Sequence, residues 1–189
     1  SQIWDKAITY LIVGCIVGGR IGYVVFYDPN WFLNSPIEII KVYNGGMSFH
    51  GGVIGFLISG FIFVKKYNLP FLKLADFVAI CSTPGIFFVR LANFINQEHF
   101  GRVIKNPLIA EILGVTYTRA NDNLLRYPSQ IFEAVFEGLF LGLVLLIILK
   151  KFYRFEGIVF SIFCIGYSLI RFLLEYIREP DGFVFCLTT

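Results

Sequence analysis

Five apolar segments constrain the possible fold of this chain more than any other feature of its sequence. Each is close to the length that crosses a bilayer. They cover about Asp5–Phe26, Met47–Val64, Phe71–Ile95, Ser129–Leu149 and Gly157–Ile177. A helix needs about 20 predominantly apolar residues to span the hydrocarbon core. The sequence therefore predicts an all-α, polytopic helical membrane protein with five spans in this chain. We expect the third span to be broken at Pro84-Gly85, because proline removes a helical hydrogen bond.

Composition excludes the soluble classes of protein. Charged residues make up 15% of the 189 residues, whereas soluble domains carry about 25%. Four cysteines are too few for a disulfide scaffold, and they form no Cys-X-X-Cys pair. We interpret them as small hydrophobic side chains; they are Cys15, Cys81, Cys164 and Cys186.

The charge and the histidine content exclude several kinds of ligand. The net charge of +3 fits a face toward anionic lipid headgroups, and without a clustered basic run we expect no nucleic-acid partner. Only two histidines occur, so we expect no metal site. We expect no cofactor either.

The lysines and arginines outside the spans predict the orientation. They cluster in the links between spans two and three and between spans four and five, at Lys65, Lys66, Lys150, Lys151 and Arg154. Short links that are rich in these residues face the cytoplasm. The segments 27–46 and 99–127 and the tail after Ile177 then face outward.

Ionisable residues inside the spans are the most informative ones, because a charge at mid-bilayer costs about 2.5–3.5 kcal/mol on the insertion scale. In the predicted orientation nearly all of them lie at the outer ends of the spans, with Asp76 alone near the cytoplasmic side. We interpret Asp76 as structural. The outer layer contains Arg20, His50, Arg90, Glu133, Arg171 and Glu175.

Three arginines in one layer would form a site for an anion, and a phosphate suits the planar guanidinium best. Simpler interpretations remain for single residues. Arg171 and Glu175 have the spacing of an intrahelical ion pair, and Glu133 and Glu137 could merely bridge helices. The spacing of Gly138 and Gly142 predicts a close approach of two helices, although glycine is common in membrane helices.

No motif for a nucleophile is present: the sequence contains no Gly-X-Ser-X-Gly, Walker loop or His-Glu-X-X-His. If the protein is an enzyme, the substrate would bring the nucleophile.

Five motifs, in order and at matching intervals, closely resemble the prolipoprotein diacylglyceryl transferase family over nearly the whole chain. They are Gly18–Tyr27, Gly45–Gly52, Arg90–Gly101, Pro128–Glu133 and Arg171–Asp181. The resemblance implies a multi-pass protein of the bacterial inner membrane. Its implied reaction moves the sn-1,2-diacylglyceryl group of phosphatidylglycerol onto the lipobox cysteine thiol of a prolipoprotein signal peptide. A thioether forms, and glycerol 1-phosphate leaves. The site would lie in the outer leaflet, facing the periplasm.

The resemblance also implies roles for residues. Arg90 and Arg171 would hold the phosphate, and His50 would assist the thiol as a base or bind the headgroup. These three are the predicted catalytic residues. The predicted substrate-binding residues are Arg20, Tyr23, Asn93, Asn96, Glu98, Glu133, Tyr167 and Glu175.

The chain departs from the family pattern near two of these motifs. Bulky Phe87 and Phe88 stand where small residues are usual, Ala92 replaces a glycine, and Tyr127 replaces a histidine. The family has seven spans, so we expect residues 1–189 to be a single transmembrane domain truncated at both ends, with residues 100–127 forming an outward-facing arm.

Two other functions remain open at this stage. One is a membrane transporter or channel for an anionic solute, which would also use convergent arginines. The other is an inactive, truncated remnant of the transferase.

Overall fold

The computed structural model describes residues 2–27, 29, 32, 35–41, 43, 45–152, 154–179, 183–184 and 187–188. It divides into two compact units, residues 1–74 and 75–189. That the chain forms one domain stays a prediction. Of the cysteines, Cys15, Cys81 and Cys164 are free thiols, and Cys186 lies outside the described residues.

The first unit contains two long helices, α1 (Gln2–Phe26) and α2 (Phe49–Tyr67), with a 3-10 helix at Pro36–Ile39 between them. Ser48 caps α2, because its hydroxyl accepts a hydrogen bond from Gly51 N at 3.3 Å. The helix ends at Asn68, which adopts the left-handed conformation (φ 50°) and donates its N–H to the Val64 carbonyl.

Helices α1 and α2 pack through small residues that bring their backbones together. A Cβ at Gly55 would lie 2.1 Å from the Gly14 carbonyl oxygen, and one at Gly18 would lie 2.4 Å from that of Gly51. Helices in membranes associate largely through such close packing. The stripe on α1, with a glycine every fourth residue from Gly14 to Gly22, was not singled out in the sequence.

The second unit contains most of α3 (Phe71–Ile95), a short helix α4, a 3-10 helix and four further helical segments that follow residue 128. Their bounds are α4 Pro107–Leu113, 3-10 Thr118–Ala120, α5 Ser129–Glu133, a π-helix Ala134–Phe140, α6 Leu141–Phe152 and α7 Ile158–Leu174. Two-residue strands β1 (Phe183–Val184) and β2 (Leu187–Thr188) pair antiparallel.

The predicted break at Pro84-Gly85 is wrong, because α3 continues through both residues. Proline cannot donate to the carbonyl four residues earlier, which belongs to Ile80. The Thr83 hydroxyl donates to that carbonyl at 3.0 Å, so the polar group is satisfied within the helix. Neighbouring Ser and Thr side chains allow proline inside membrane helices in this way.

The predicted close approach at Gly138 and Gly142 is confirmed. A Cβ at Gly138 would lie 2.7 Å from Phe87 Cβ, and one at Gly142 would lie 2.7 Å from Thr83 Oγ1. The π-helix and α6 therefore pack against α3 through these glycines. A buried core lies next to this contact and consists of Ala79, Leu141, Leu145 and Val159.

The all-α fold class is confirmed. Among the described residues, four helices are long and apolar enough to cross a membrane: Gln2–Phe26, Phe49–Tyr67, Phe71–Ile95 and Ser129–Phe152. Helix α7 is apolar but has 17 residues, so the count of five spans stays a prediction. Many large apolar side chains on these helices are exposed, as expected where lipid replaces water. The chain is a multi-pass membrane protein.

Asp76 has the structural role predicted for it. Its carboxylate is buried and accepts hydrogen bonds from Gly157 N at 2.7 Å and Phe160 N at 2.8 Å. These N–H groups begin α7 and have no partner within their own helix. An acid on α3 therefore caps the N-terminus of α7, where negative charge is also favoured by the helix dipole.

Replacing Gly55 with alanine should destabilise the first unit. The new methyl group would overlap backbone atoms of α1, and overpacking of this kind costs about 1–3 kcal/mol. We expect a lower midpoint of thermal unfolding in detergent. The matched control is Gly85→Ala on α3, where a Cβ would meet no atom within 4 Å; equal midpoints for the two variants would contradict the packing described here.

Candidate functional site

A fully buried carboxylate, Glu133, lies between two arginines in the second unit. Its side chain has 0% exposure. Arg171 Nη1 donates a hydrogen bond to Glu133 Oε1 at 3.2 Å. Arg90 Nε lies 2.9 Å from Oε2 as an ion pair, without the alignment of a hydrogen bond. One carboxylate therefore fixes the guanidinium groups of two different helices.

The order of the helices explains why these residues meet. Arg90 lies near the C-terminal end of α3, and Arg171 lies near the C-terminal end of α7. Glu133 is the last residue of α5, which begins the long helical segment that runs back in the opposite direction. The structure thus brings together at one end of the second unit three residues that the sequence placed in one layer.

Both arginines keep part of their surface accessible, with 16% of the Arg90 side chain and 24% of the Arg171 side chain exposed. Among the described residues, Arg90 Nη1 and Arg171 Nε make no ion pair. Guanidinium groups that are held in place by a buried carboxylate, with donors left over, can bind a phosphate or another oxyanion.

A second buried carboxylate, Glu137, extends the cluster inward. Its side chain also has 0% exposure, and Arg90 Nη2 lies 3.6 Å from Oε2. Neither Glu137 oxygen has a hydrogen-bond partner among the described residues. Arg90 thus contacts both buried carboxylates, Glu133 and Glu137.

Glu175 and Tyr167, one helical turn to either side of Arg171, complete this face of α7. Glu175 Oε2 lies 3.4 Å from Arg171 Nη2, so the intrahelical pair forms in addition to the pair with Glu133. Tyr167 is half-buried and stacks on Phe163 with 5.7 Å between ring centroids.

The segment after α3 turns sharply and is held by the start of α5. Gln97 and His99 both adopt positive φ, at 57° and 53°. Gln130 Nε2 donates to the Glu98 carbonyl at 2.7 Å, and the Ser129 hydroxyl donates to the His99 carbonyl at 3.0 Å. This segment follows Asn93, which is half-buried, and Asn96, which is exposed.

The arm is ordered by contacts with this same segment. The Glu98 carboxylate pairs with Arg119 of the arm at 2.9 Å. Tyr117 is buried and donates its hydroxyl proton to Gln130 Oε1 at 3.0 Å. Burial raises the pKa of Tyr117 to about 12, although the hydrogen bond to Gln130 opposes this shift. Its phenol therefore stays protonated near neutral pH.

A buried arginine at the end of the arm joins it to the tail after α7. Arg126 pairs with Asp122 at 2.5 Å and with Glu179 at 2.6 Å. The guanidinium also lies over the Phe100 ring, 4.8 Å from its centroid. The arm is therefore attached to the segment that carries Glu98 and to the tail that follows α7.

In the first unit, Arg20 binds backbone carbonyls. Its nitrogens donate to the carbonyls of Glu38, Ile39, Gly45 and Gly46 at 2.5–2.9 Å. The guanidinium also lies near the rings of Tyr23 and Phe32, at 5.8 and 5.3 Å from their centroids. Tyr23 in turn stacks on Tyr27 at 5.0 Å. These contacts favour a role for Arg20 in holding the segment 38–46.

His50 lies in the first turn of α2 in the first unit. It is exposed, and its ring meets the Phe49 ring edge-on with 5.8 Å between centroids. It stays a predicted catalytic residue.

One member of the cluster, Glu137, was not among the predicted site residues. Its spacing of four residues from Glu133 is visible in the sequence, but its contact with Arg90 depends on tertiary packing.

The Asp122–Arg126 pair predicts how the stability of the arm depends on pH. The hydrogen bond from Arg126 lowers the pKa of Asp122 below its usual 3.8, helped by the Leu124 N–H. A lowered folded-state pKa stabilises the fold above the unfolded value, and this contribution is lost as pH falls through the folded value. The melting temperature of the wild type should therefore exceed that of Asp122→Asn near neutral pH, and the difference should shrink below about pH 4. A constant difference across that range would contradict this origin.

Comparison with known proteins now gives the family. The family model described as prolipoprotein diacylglyceryl transferase matches residues 1–189. A phosphatidylglycerol–prolipoprotein diacylglyceryl transferase of Rickettsia bellii (strain OSU 85-389) is 44% identical over 186 residues, which are 96% of this chain and 68% of the relative.

Proteins of the same name from two other genera are equally similar. That of Ehrlichia ruminantium (strain Welgevonden) is 44% identical over 183 residues, 95% of this chain and 68% of the relative. That of Wolbachia pipientis wMel is 44% identical over 184 residues, 96% of this chain and 68% of the relative. These matches confirm the resemblance found in the sequence: the chain belongs to the prolipoprotein diacylglyceryl transferase family.

Proposed function

We propose that this protein transfers the diacylglyceryl group of phosphatidylglycerol to the lipobox cysteine thiol of a prolipoprotein signal peptide. The observation that carries the proposal is the pair of partly exposed guanidinium groups, Arg90 and Arg171, oriented by buried Glu133. The family supports the same reaction.

In the proposed reaction the thiolate sulfur attacks the glyceryl carbon that carries the phosphate ester. The new bond is S–C, and the bond that breaks is C–O. The electron pair stays on the leaving glycerol 1-phosphate. Arg90 and Arg171 would bind the phosphate and stabilise the charge that develops on its oxygen, which is a common and large contribution to catalysis.

The thiol proton needs an acceptor, because a cysteine pKa of about 8.5 leaves most of the thiol protonated near neutral pH. We propose His50 for this role. Histidine is the side chain that most often serves as a general base, and its imidazole can accept a proton. Its exposed position on α2 leaves the ring accessible.

The remaining predicted residues would bind the substrates. Tyr167 and Glu175 flank Arg171 on α7, and Glu98 links the motif after α3 to the arm. Tyr23, Asn93 and Asn96 are proposed as further contacts. For Arg20 the carbonyl contacts support an indirect contribution, in which it shapes the segment 38–46 rather than holding the phosphate.

We further propose that the protein lies in the bacterial inner membrane with the site in the outer leaflet, facing the periplasm. The concentration of Lys and Arg in the predicted cytoplasmic links supports this orientation. An exported signal peptide would present its cysteine on that side.

Reconstitution tests the reaction directly. The protein in liposomes that contain phosphatidylglycerol should add one diacylglyceryl group to a lipobox peptide, measured as a mass gain on the thiol. Liposomes of phosphatidylcholine alone should give no product. Uptake of a soluble anion without a mass gain would favour a transporter, and the absence of both activities would favour an inactive remnant.

Replacing Arg171 with alanine should abolish transfer, because Glu133 loses one of its arginines and the phosphate loses a bidentate donor. We expect a loss of at least about 100-fold in rate, by analogy with removal of a single donor to a developing oxyanion. Arg171→Lys should rescue little, since an ammonium cannot reproduce the planar fork. The control is Arg154→Ala, in the exposed link before α7. Normal turnover by a correctly inserted Arg171→Ala protein would exclude the proposed role.

A further inference from the structure

Two carboxylates connect α3 to α7, one at each end of these helices. Asp76, near the start of α3, accepts hydrogen bonds from Gly157 and Phe160 at the start of α7. At the other end, Glu133 contacts both Arg90 of α3 and Arg171 of α7. The two helices therefore run in the same direction and are fixed relative to one another at both ends.

Counted from Gly157, the first of the two N–H donors to Asp76, the spacing between these connections is the same as on α3. Arg90 follows Asp76 by 14 residues, and Arg171 follows Gly157 by 14 residues. At 1.5 Å per residue each interval is about 21 Å long. Fourteen residues also complete almost four helical turns, so the two ends of each interval lie within about 40° of the same helix face.

Equal intervals have a geometric consequence. Because Asp76 binds the start of α7, Arg171 lies at the same position along the helix axis as Arg90. One buried carboxylate, Glu133, can therefore contact both arginines. If α7 slid by one residue, Arg171 would move by about 1.5 Å along its axis. After such a shift, the Glu133 contacts of 2.9 and 3.2 Å could be kept only if the Arg171 side chain adopted a different conformation.

We infer that Asp76 is a positioning residue, which sets the axial position of Arg171 relative to Arg90 from the opposite end of α7. This inference rests on the proposed function, because it assigns Asp76 to the geometry of the same arginine pair. Asp76 itself would touch no substrate. Its effect would pass through α7, whose first N–H groups it holds.

The test measures catalysis and geometry in the same variants. In Asp76→Ala both acceptors for Gly157 and Phe160 are lost, whereas Asp76→Asn keeps one acceptor oxygen. We expect kcat to fall at least about tenfold in Asp76→Ala, because misplacement of reacting groups by about 1 Å can cost 100-fold. KM should change less than kcat. Asp76→Asn should give an intermediate kcat, and it keeps the test available if the alanine variant inserts poorly.

The control is Asp5→Ala, which removes an exposed acid from the first turn of α1. It should leave kcat unchanged. Rates are compared at a temperature where all variants are folded, so that a loss of stability alone cannot lower them. A normal kcat in folded Asp76→Ala would overturn the inference.

A distance measurement tests the positioning independently of activity. Spin labels are placed at exposed Ile95 and Phe172, near the far ends of α3 and α7, in a chain whose four cysteines are replaced by alanine. In Asp76→Ala the distance between the labels should shift or broaden by about 1.5 Å or more, the rise of one residue. An unchanged distribution would overturn the inference. If the wild-type chain shows no transfer at all, the proposed function fails, while this distance still decides the role of Asp76.

Discussion

The second unit depends on the burial of one charged carboxylate between two guanidinium groups. Glu133 has no exposed surface, and a charge buried in this way is tolerated only with close partners. Removing one partner of a buried pair typically costs about 3–5 kcal/mol. Because Arg90 and Arg171 come from different helices, the same requirement that neutralises Glu133 also joins α3, α5 and α7. Stability and arrangement of the site therefore have a common physical cause.

Much of the fold could be predicted from the sequence, because membrane spans follow from length and apolar composition alone. The sequence also placed Arg90, Glu133 and Arg171 at one depth, since helix ends and loop charges fix depth. It could not decide which partners meet. The Arg171–Glu175 pair follows from spacing, but the contacts of Arg90 with Glu133 and Glu137 depend on how two helices pack. Arg20 shows the same limit, because backbone carbonyls leave no pattern in the sequence.

The one wrong prediction of secondary structure, the break in α3, has a specific cause. Pro84 suggested a break, yet a single hydroxyl on Thr83 satisfies the carbonyl that proline leaves without a donor. Phe87 stands where the family usually has a small residue. Its larger side chain fits because it packs against Gly138, which has no side chain. Residues 100–127, predicted as an outward-facing arm, contain short helices and bridges whose periodicity is too brief to detect in the sequence.

The π-helix that follows Glu133 has a consequence for the length of this span. Each of its turns contains more residues than an α-helical turn, because its hydrogen bonds reach five residues along the chain. The segment 134–140 therefore contains more residues than an α-helix of the same length would. It lies between Glu133 and the buried core residues Leu141 and Leu145. Loss of one residue here could be absorbed by a return to ordinary α-helix, with the carboxylate and the core keeping their directions. The same deletion within α6 would rotate everything beyond it by about 100°. A deletion of one residue should thus be tolerated better in the π-helix beside the site than in α6, which lies farther from it.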